Sequence, residues 1–355
     1  MKFLFIIPSL SKGGAERVVS VLASELANQG HEATVLIYFK TENEYEVSEN
    51  VKKVYLSEYE SDYDNMNYLK RLTALRKVAK TEKADFVIPF LSHVCIQTCV
   101  ALFGTKYKII QTVRNDPKTL PEGKIHRFLR DLFIKFSFKT FVQNENQKSY
   151  FDSKTRKKIF VLPNPVRGDL FDCQNKNDID KIIIASAGRL NSQKNFFMLI
   201  DAFCKVYEEH KDLELRLYGD GELKEELEQH IKDKNLYESV KLMGRTNDMK
   251  SMFESIDLYV LSSDFEGMPN SLMEAMAAGV PCVSTDCPTG PSDLIENEKT
   301  GLLVPVNDAP AMSKAIEKML FELEKQKIAE NGREFVKSNY SAKVIVERLL
   351  RNIGG

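Results

Sequence analysis

Apolar residues in this chain come in short runs separated by longer amphipathic stretches, and the two kinds of segment alternate. Residues 3–7, 33–37, 86–89, 108–111, 140–142 and 159–162 are runs of strand length rich in Ile, Val, Leu and Phe. Runs without polar alternation are what a parallel sheet buried on both faces requires. Between the first two, residues 15–27 carry apolar side chains at helical spacing. The pattern restarts at 181–186 and continues at 213–218, 239–242, 258–261 and 280–284. Each half is therefore predicted as a βα alternation, a parallel sheet with helices on both sides, and the fold class as α/β. Pro163-Asn164-Pro165 and the polar stretch from Gln174 to Lys181 mark the joint. The predicted division is 1–165, 175–338 and a last segment 339–355, helical by pattern from 341 to 352.

Composition narrows the class. A chain of 355 residues corresponds to about two domains at ~150 residues each, and 43% hydrophobic content is enough for two cores. A net charge of −1 argues against nucleic acid as the main partner. No apolar run reaches the roughly 18–20 residues of a membrane span. The opening Met1-Lys2 and its apolar run are too short for a leader, and Pro8, Ser9 and Lys12 follow without a cleavage site. Cys95, Cys99, Cys173, Cys204, Cys282 and Cys287 are scattered with no Cys-x-x-Cys pair, which fits reduced, buried thiols and a cytoplasmic setting. The five histidines show no ligand spacing, so no metal and no cofactor are expected.

Chemistry concentrates in Phe265-Glu266-Gly267-Met268-Pro269-Asn270-Ser271-Leu272-Met273-Glu274-Ala275. The apolar run before it ends in Ser262-Ser263-Asp264, and a helix-forming stretch follows it. Pro269 discourages helix on its N-terminal side and Asn270 or Ser271 is a suitable N-cap, so a helix is predicted to start here with its free N–H groups facing the loop. A strand, a Gly/Pro loop and a helix place Glu266 at the carboxyl edge of the sheet, where open α/β sheets bind ligands. That arrangement is an anion site flanked by two carboxylates, Glu266 and Glu274. A solvated surface position is the commoner fate of a single Glu, and the remaining motifs decide between the two.

The first strand of the second half leads into Ala187-Gly188-Arg189-Leu190-Asn191-Ser192-Gln193-Lys194-Asn195. Arg189 and Lys194 put a planar fork and a point charge at one sheet edge, a pair suited to a diphosphate leaving group. The first strand of the chain leads into Gly13-Gly14-Ala15-Glu16-Arg17. Its adjacent glycines permit close approach of backbone N–H groups to a phosphate. Neither a P-loop nor Gly-x-Gly-x-x-Gly is present, which disfavours a dinucleotide dehydrogenase.

Glu266-x7-Glu274, Gly188-Arg189 with Gln193-Lys194-Asn195, Gly219-Asp220-Gly221, and Gly13-Gly14-Ala15-Glu16 stand in the order found in family 4 retaining glycosyltransferases, which this chain resembles from Lys2 to about Val306. The resemblance implies a GT-B fold: two Rossmann-like domains facing across a deep cleft, the first binding the acceptor and the second the nucleotide sugar, with the last helix crossing back to the first. It implies a metal-independent hexosyltransferase acting with retention on a nucleotide sugar, UDP being the family's commonest nucleotide. Position by position, Arg189 and Lys194 would hold the diphosphate, aided by Gly13, Gly14 and Gly188. Glu274 would bind the ribose, and Glu266 the transferred sugar. Backbone groups of Met268, Pro269, Asn270 and Ser271 would touch sugar and phosphate, and the loop Met243-Gly244-Arg245-Thr246-Asn247 would receive the base. Gly219 and Gly221 would shape the cleft. A nucleotide-sugar epimerase with the same fold and a non-catalytic nucleotide-sugar binder are the alternatives.

The acceptor side has two readings. His93 follows a strand and could stand near the reacting carbon, as could Arg114-Asn115 after the next strand. A basic amphipathic stretch runs from 124 to 139, with apolar positions 125, 128, 129, 132, 133 and 136 on one face and Lys124, Arg127, Arg130 and Lys135 outside it. Such helices bind anionic membrane surfaces and lipid diphosphates, or they are core helices with a solvated basic face. The first alternative implies a polyprenyl-diphosphate-linked saccharide as acceptor, in capsule, lipopolysaccharide or glycoprotein assembly, and an enzyme peripheral on the inner face of the cytoplasmic membrane.

Overall fold

The computed structural model describes residues 1–11, 13–58, 68–174, 181–246 and 248–354. Lys12, Asn247 and positions 175–180 of the polar joint lie outside the described residues. The chain divides into two compact units: Met1–Pro165 together with Ala342–Gly355, and Val166–Ser341.

Unit 1 holds a parallel sheet of β1 (Lys2–Ile7), β2 (Glu32–Ile37), β3 (Val51–Tyr55), β4 (Phe86–Pro89), β5 (Lys108–Val113), β6 (Lys139–Val142) and β7 (Ile159–Val161), in the order β3-β2-β1-β4-β5-β6-β7. Successive side chains of a strand point to opposite faces. Phe3, Phe5 and Ile7 accordingly join the core under α1 (Gly14–Asn28) and the terminal helix Ala342–Gly354, whereas Leu4 and Ile6 join the core under α2 (Tyr68–Glu82) and α3 (Ser92–Ala101). Both faces are filled, which is why the run 3–7 shows no polar alternation. The terminal helix buries Ile345, Val346, Leu349 and Ile353.

Unit 2 repeats the plan with β8 (Ile182–Ala187), β9 (Leu213–Tyr218), β10 (Val240–Gly244), β11 (Leu258–Leu261), β12 (Cys282–Thr285) and β13 (Leu302–Val304), in the order β10-β9-β8-β11-β12-β13. Ile184 faces one core of this unit, Ile183 and Ala185 the other. The sequence reading missed β3 and β13, both edge strands. In β3 the middle residues Lys52 and Lys53 are exposed, a charge pattern that blunts an edge and hides it from an apolar search. β13 has only three residues, too few to carry a period.

In each sheet the chain first moves outward on one side of its first strand and then returns to the other side. The order therefore reverses between β1 and β4, and again between β8 and β11. Loops leaving the carboxyl ends of these paired strands diverge and leave a crevice.

Candidate active site

In unit 2 the loops after β8 and β11 flank the reversal, and a short ion pair joins them: Lys194 Nζ lies 2.6 Å from Glu266 Oε1. Both side chains are largely shielded, at 16% and 9% exposure. Lys194 ends a single 3-10 turn, Ser192–Lys194, and is followed by Asn195 in the left-handed region at φ 44° and ψ 50°. Asn195 suits that conformation because its short amide can bond locally. Its Oδ1 accepts from Met198 N at 3.3 Å and caps the helix Phe196–Glu209, while its Nδ2 donates to Asp264 Oδ1 at 2.8 Å and Asn307 Oδ1 at 2.6 Å. The two loops are further stitched by Asp264 N to Gln193 O, Gln193 Nε2 to Phe265 O at 2.8 Å, and Ser262 Oγ to Lys194 O at 2.7 Å. Lys194 is thus placed by backbone ties and not by its charge alone.

Glu266 is held twice through one oxygen. Ser263 Oγ donates to Oε1 at 2.7 Å, the same atom that receives Lys194. Among the described residues no group bonds Oε2, so one carboxylate oxygen is committed to the loop and the other is available to a ligand hydroxyl.

The glycines have specific tasks here. A Cβ on Gly188 would lie 2.7 Å from Lys194 Cε, so the lysine stem runs over bare backbone. Gly219 has φ +145°, and a Cβ on it would meet Gly188 O at 1.8 Å. The turns after β8, β9 and β10 are stacked by Gly188 N to Tyr218 O at 2.9 Å and Gly219 N to Gly244 O at 2.8 Å. Arg189, on the same loop as Lys194, is exposed and has no ion-pair partner among the described residues. Arg245 forms an exposed pair with Asp220, Nε to Oδ2 at 3.5 Å.

The helix of the carboxylate motif runs Asn270–Ala277, one residue earlier than an Asn270 cap requires and two earlier than a Ser271 cap. Pro269 is itself the N-cap, in extended conformation and without a capping side chain. Ser271 turns instead to the buried Tyr259 phenol, whose pKa burial drives up. Met268 is half-buried, Pro269 is buried, and Glu274 lies on the buried face at 4% exposure.

In unit 1, Gly13 is the N-cap of α1 and Gly14 its first residue. Glu16 folds back over them: its Oε2 lies 2.0 Å from where a Gly13 Cβ would stand, and burial raises its pKa against the opposing bond from its own backbone N–H. His93 is the exposed second residue of α3, after Leu91 at φ 72°. Partial burial and then the Arg71 charge lower its pKa. Asn115 is exposed. Arg114 lies over the Phe90 ring at 5.0 Å and donates from Nη1 to Asn164 Oδ1 at 2.8 Å and Leu162 O at 3.4 Å. Burial lowers its pKa to about 10. Its position is that of a tie between the end of β5 and the Pro163-Asn164-Pro165 turn.

The amphipathic helix, α4 (Lys124–Phe136), is turned over relative to the core-helix reading. Arg130 and Ile134 are its buried residues, and Ile125, Phe128 and Phe136 are 74%, 65% and 70% exposed. Arg130, expected on a basic flank, pairs with Asp131 at 2.8 Å, donates to Leu120 O, and packs on the Tyr150 and Phe151 rings. Arg127 donates to Thr119 O and Pro121 O, both at 3.1 Å. These two arginines hold the 119–121 segment and are not the free cations their spacing suggested; Lys124 remains exposed. A polar partner reached through tertiary structure overrode the helical wheel.

Among the described residues, one group of His, Cys, Asp and Glu side chains has metal-like proximity, Glu209, His210 and Glu317. It contains no residue of the site. Sequence reasoning missed Ser263, Asn195 as the tie between loops, and Thr289, whose Oγ1 donates to Glu266 O. Ser263 stands three residues before Glu266 and was findable as a local side-chain bond; Thr289 carried no local signal.

Comparison with known proteins adds an independent line. The family described as Glycosyl transferases group 1 matches residues 171–335, and Glycosyltransferase Family 4 matches residues 12–169. A Campylobacter jejuni alpha-1,4-N-acetyl-D-galactosaminyltransferase, named for GalNAc-alpha-(1->4)-GalNAc-alpha-(1->3)-diNAcBac-PP-undecaprenol, is 30% identical over 325 residues, 90% of this chain and 89% of its own. An Escherichia coli UDP-Gal:alpha-D-GlcNAc-diphosphoundecaprenol alpha-1,3-galactosyltransferase is 28% identical over 273 residues, 70% and 69% of the two chains. The crystal structure of Anabaena Alr3699/HepE in complex with UDP and glucose superposes with a TM-score of 0.82 at 17% identity, covering 100% of this chain and 99% of that one.

Proposed function

This chain belongs to glycosyltransferase family 4, and we propose that it transfers a hexose or N-acetylhexosamine from a UDP-sugar to a hydroxyl of a polyprenyl-diphosphate-linked saccharide, with retention at the anomeric carbon. The observation that carries the reading is the Lys194–Glu266 pair across the β8/β11 reversal, 2.6 Å between charges on two interlocked loops. A cation is held there for the leaving diphosphate and a carboxylate oxygen for the sugar.

In the reaction, the bond from the anomeric carbon to the diphosphate oxygen breaks and a bond to the acceptor oxygen forms on the same face. The acceptor proton passes to the departing phosphate oxygen. Lys194 and Arg189 stabilise the charge that develops on that phosphate, the largest contribution expected of the protein. Glu266 Oε2 accepts from a sugar hydroxyl and orients the ring. Glu274 takes the ribose, the N-terminus of Asn270–Ala277 faces phosphate and sugar, and Gly244 with Arg245 lies by the base. Unit 1 offers His93, Asn115 and Lys124 to the acceptor, and its Gly13-Gly14 backbone is a further phosphate-binding element. No second carboxylate acts as nucleophile, so the spacing rule of glycoside hydrolases does not apply.

The test is thermal denaturation with UDP-, GDP-, ADP- and dTDP-sugars and no added metal. Stabilisation by the UDP-linked set, by about 2–3 kcal/mol at a hundredfold excess over Kd, and its loss in Arg189→Ala are expected. No response to any donor would overturn the donor site.

The location of the acceptor is part of the same proposal. No helix among the described residues is long and apolar enough to cross a membrane. Ile125, Phe128 and Phe136 on α4, beside Lys124 and Lys135, instead suit the surface of an anionic bilayer. Replacing Ile125 and Phe128 together by Glu should lower partitioning onto phosphatidylglycerol vesicles at least ~10-fold, since each side chain contributes about 1.5–3 kcal/mol when buried. Unchanged partitioning in a sedimentation assay would remove α4 from the membrane.

A further inference from the structure

The carboxylate of Glu266 is placed by its own loop, but the loop is braced from elsewhere. After β12 the chain runs through Asp286-Cys287-Pro288-Thr289-Gly290 into the short helix Pro291–Leu294. Thr289 Oγ1 donates to the backbone carbonyl of Glu266. Gly290, at φ +98°, lies so close to Pro269 that a Cβ would stand 2.5 Å from Pro269 Cδ. The same segment is fixed at its root: Asp286 N donates to Val304 O at 2.7 Å, and Thr285 Oγ1 donates to Ser263 O at 2.6 Å. Ser263 in turn donates to Glu266 Oε1. The Cys287 thiol, 1% exposed, packs in the same place and bonds Thr289 O. Burial, and then the charge of Glu266, push its pKa up to about 11, so it stays a neutral packing group.

Residues 285–290 therefore reach the Glu266 loop at three points: the Ser263 carbonyl, the Glu266 carbonyl and the Pro269 ring. We propose that Thr289 is a positioning residue for glycosyl transfer. It fixes the main chain of Glu266, Gly290 seats the following proline, and together they set the direction in which Oε2 meets the transferred sugar. The inference rests on the transferase reading above and goes beyond it by naming a residue that acts on the sugar through the main chain of Glu266. The main-chain bond is the critical one. Lys194 and Ser263 both grip Oε1, and two donors on one oxygen leave the carboxylate free to rotate about that point unless the backbone is held.

The experiment compares Thr289→Val, which keeps shape and loses the hydroxyl, with Thr289→Ser, which keeps the hydroxyl. Turnover is followed as UDP release with an undecaprenyl-diphosphate-linked oligosaccharide and whichever of UDP-glucose, UDP-galactose, UDP-N-acetylglucosamine and UDP-N-acetylgalactosamine the wild-type chain uses, and UDP affinity is measured separately. Thr289→Val should lower kcat about 10- to 100-fold, the effect of a misplacement of ~1 Å. Its affinity for UDP should stay at the wild-type value, and Thr289→Ser should restore most of kcat. Wild-type kcat in Thr289→Val would overturn the proposal. So would equal impairment of both variants, or a parallel loss of UDP affinity, each of which describes a merely structural threonine. Should Thr289→Val fail to fold, Thr289→Ala replaces it under the same criteria. Absence of transfer by the wild-type chain with every donor would instead refute the transferase reading and this inference with it.

Discussion

Lys194→Ala is expected to lower kcat about 10²- to 10³-fold, the cost of removing one preorganised charge from the leaving group, in a chain that still folds. Nζ is 2.6 Å from Glu266 Oε1, and the same ammonium has further donors for a phosphate. Truncation removes the cation proposed for the diphosphate and also leaves the Glu266 carboxylate, 9% exposed, with Ser263 as its remaining donor among the described residues. That second effect costs about 2–3 kcal/mol of stability, typical of a lost charged hydrogen bond, which an urea melt reads directly. In stability the two residues are coupled through this pair, so the double variant with Glu266→Gln should melt no lower than the worse single one. Lys194→Arg should not rescue. The stem passes over Gly188, where a Cβ would already be 2.7 Å from Cε, and a planar guanidinium does not occupy the space of a rotating ammonium. Wild-type turnover in Lys194→Ala would separate the lysine from the chemistry, and additive stability losses in the double variant would show that the two side chains do not support each other in the fold.

The same residues show how far a sequence can be read. Buried parallel strands announce themselves because neither face needs polar residues, so the runs 3–7 and 181–186 are visible as strands, and the motif residues Gly188, Lys194 and Glu266 can be assigned to strand ends. Their pairing was not visible. That Lys194 meets Glu266 depends on β8 and β11 lying side by side across 72 residues of chain, and no local pattern encodes strand order. The arginines of α4 failed for a related reason. Spacing gave a correct apolar stripe, but which stripe faces the sheet was decided by Asp131, Leu120 O and two aromatic rings, which together make a buried guanidinium at position 130 tolerable. Ile125 and Phe128 then go outward, and the helical wheel is inverted. Thr289 belongs to the same group, since its partner is a main-chain carbonyl with no side-chain identity to detect.

Gly219→Ala should be as damaging as the loss of the lysine, by a different route. The residue sits at φ +145°, a region that essentially only glycine enters, so any Cβ costs about 1–3 kcal/mol in backbone strain alone. Here the new atom would also stand 1.8 Å from Gly188 O, a backbone atom that cannot rotate away. Relief requires Gly188 to move, yet Gly188 is bonded through its N–H to Tyr218 O and lies beneath the Lys194 stem. The strain is therefore transmitted to Arg189 and Lys194, and both stability and UDP affinity should fall. Gly104→Ala separates the two contributions: its φ is +72° with no atom within 4 Å of the new Cβ, so it carries the cost of dihedral strain without a clash. We expect Gly104→Ala to lose about 1–2 kcal/mol with wild-type UDP affinity, and Gly219→Ala to lose at least ~3 kcal/mol with binding impaired. Equal destabilisation and intact UDP binding in both would mean that the stacked turns after β8 and β9 yield without cost, and that the position of Lys194 does not depend on them.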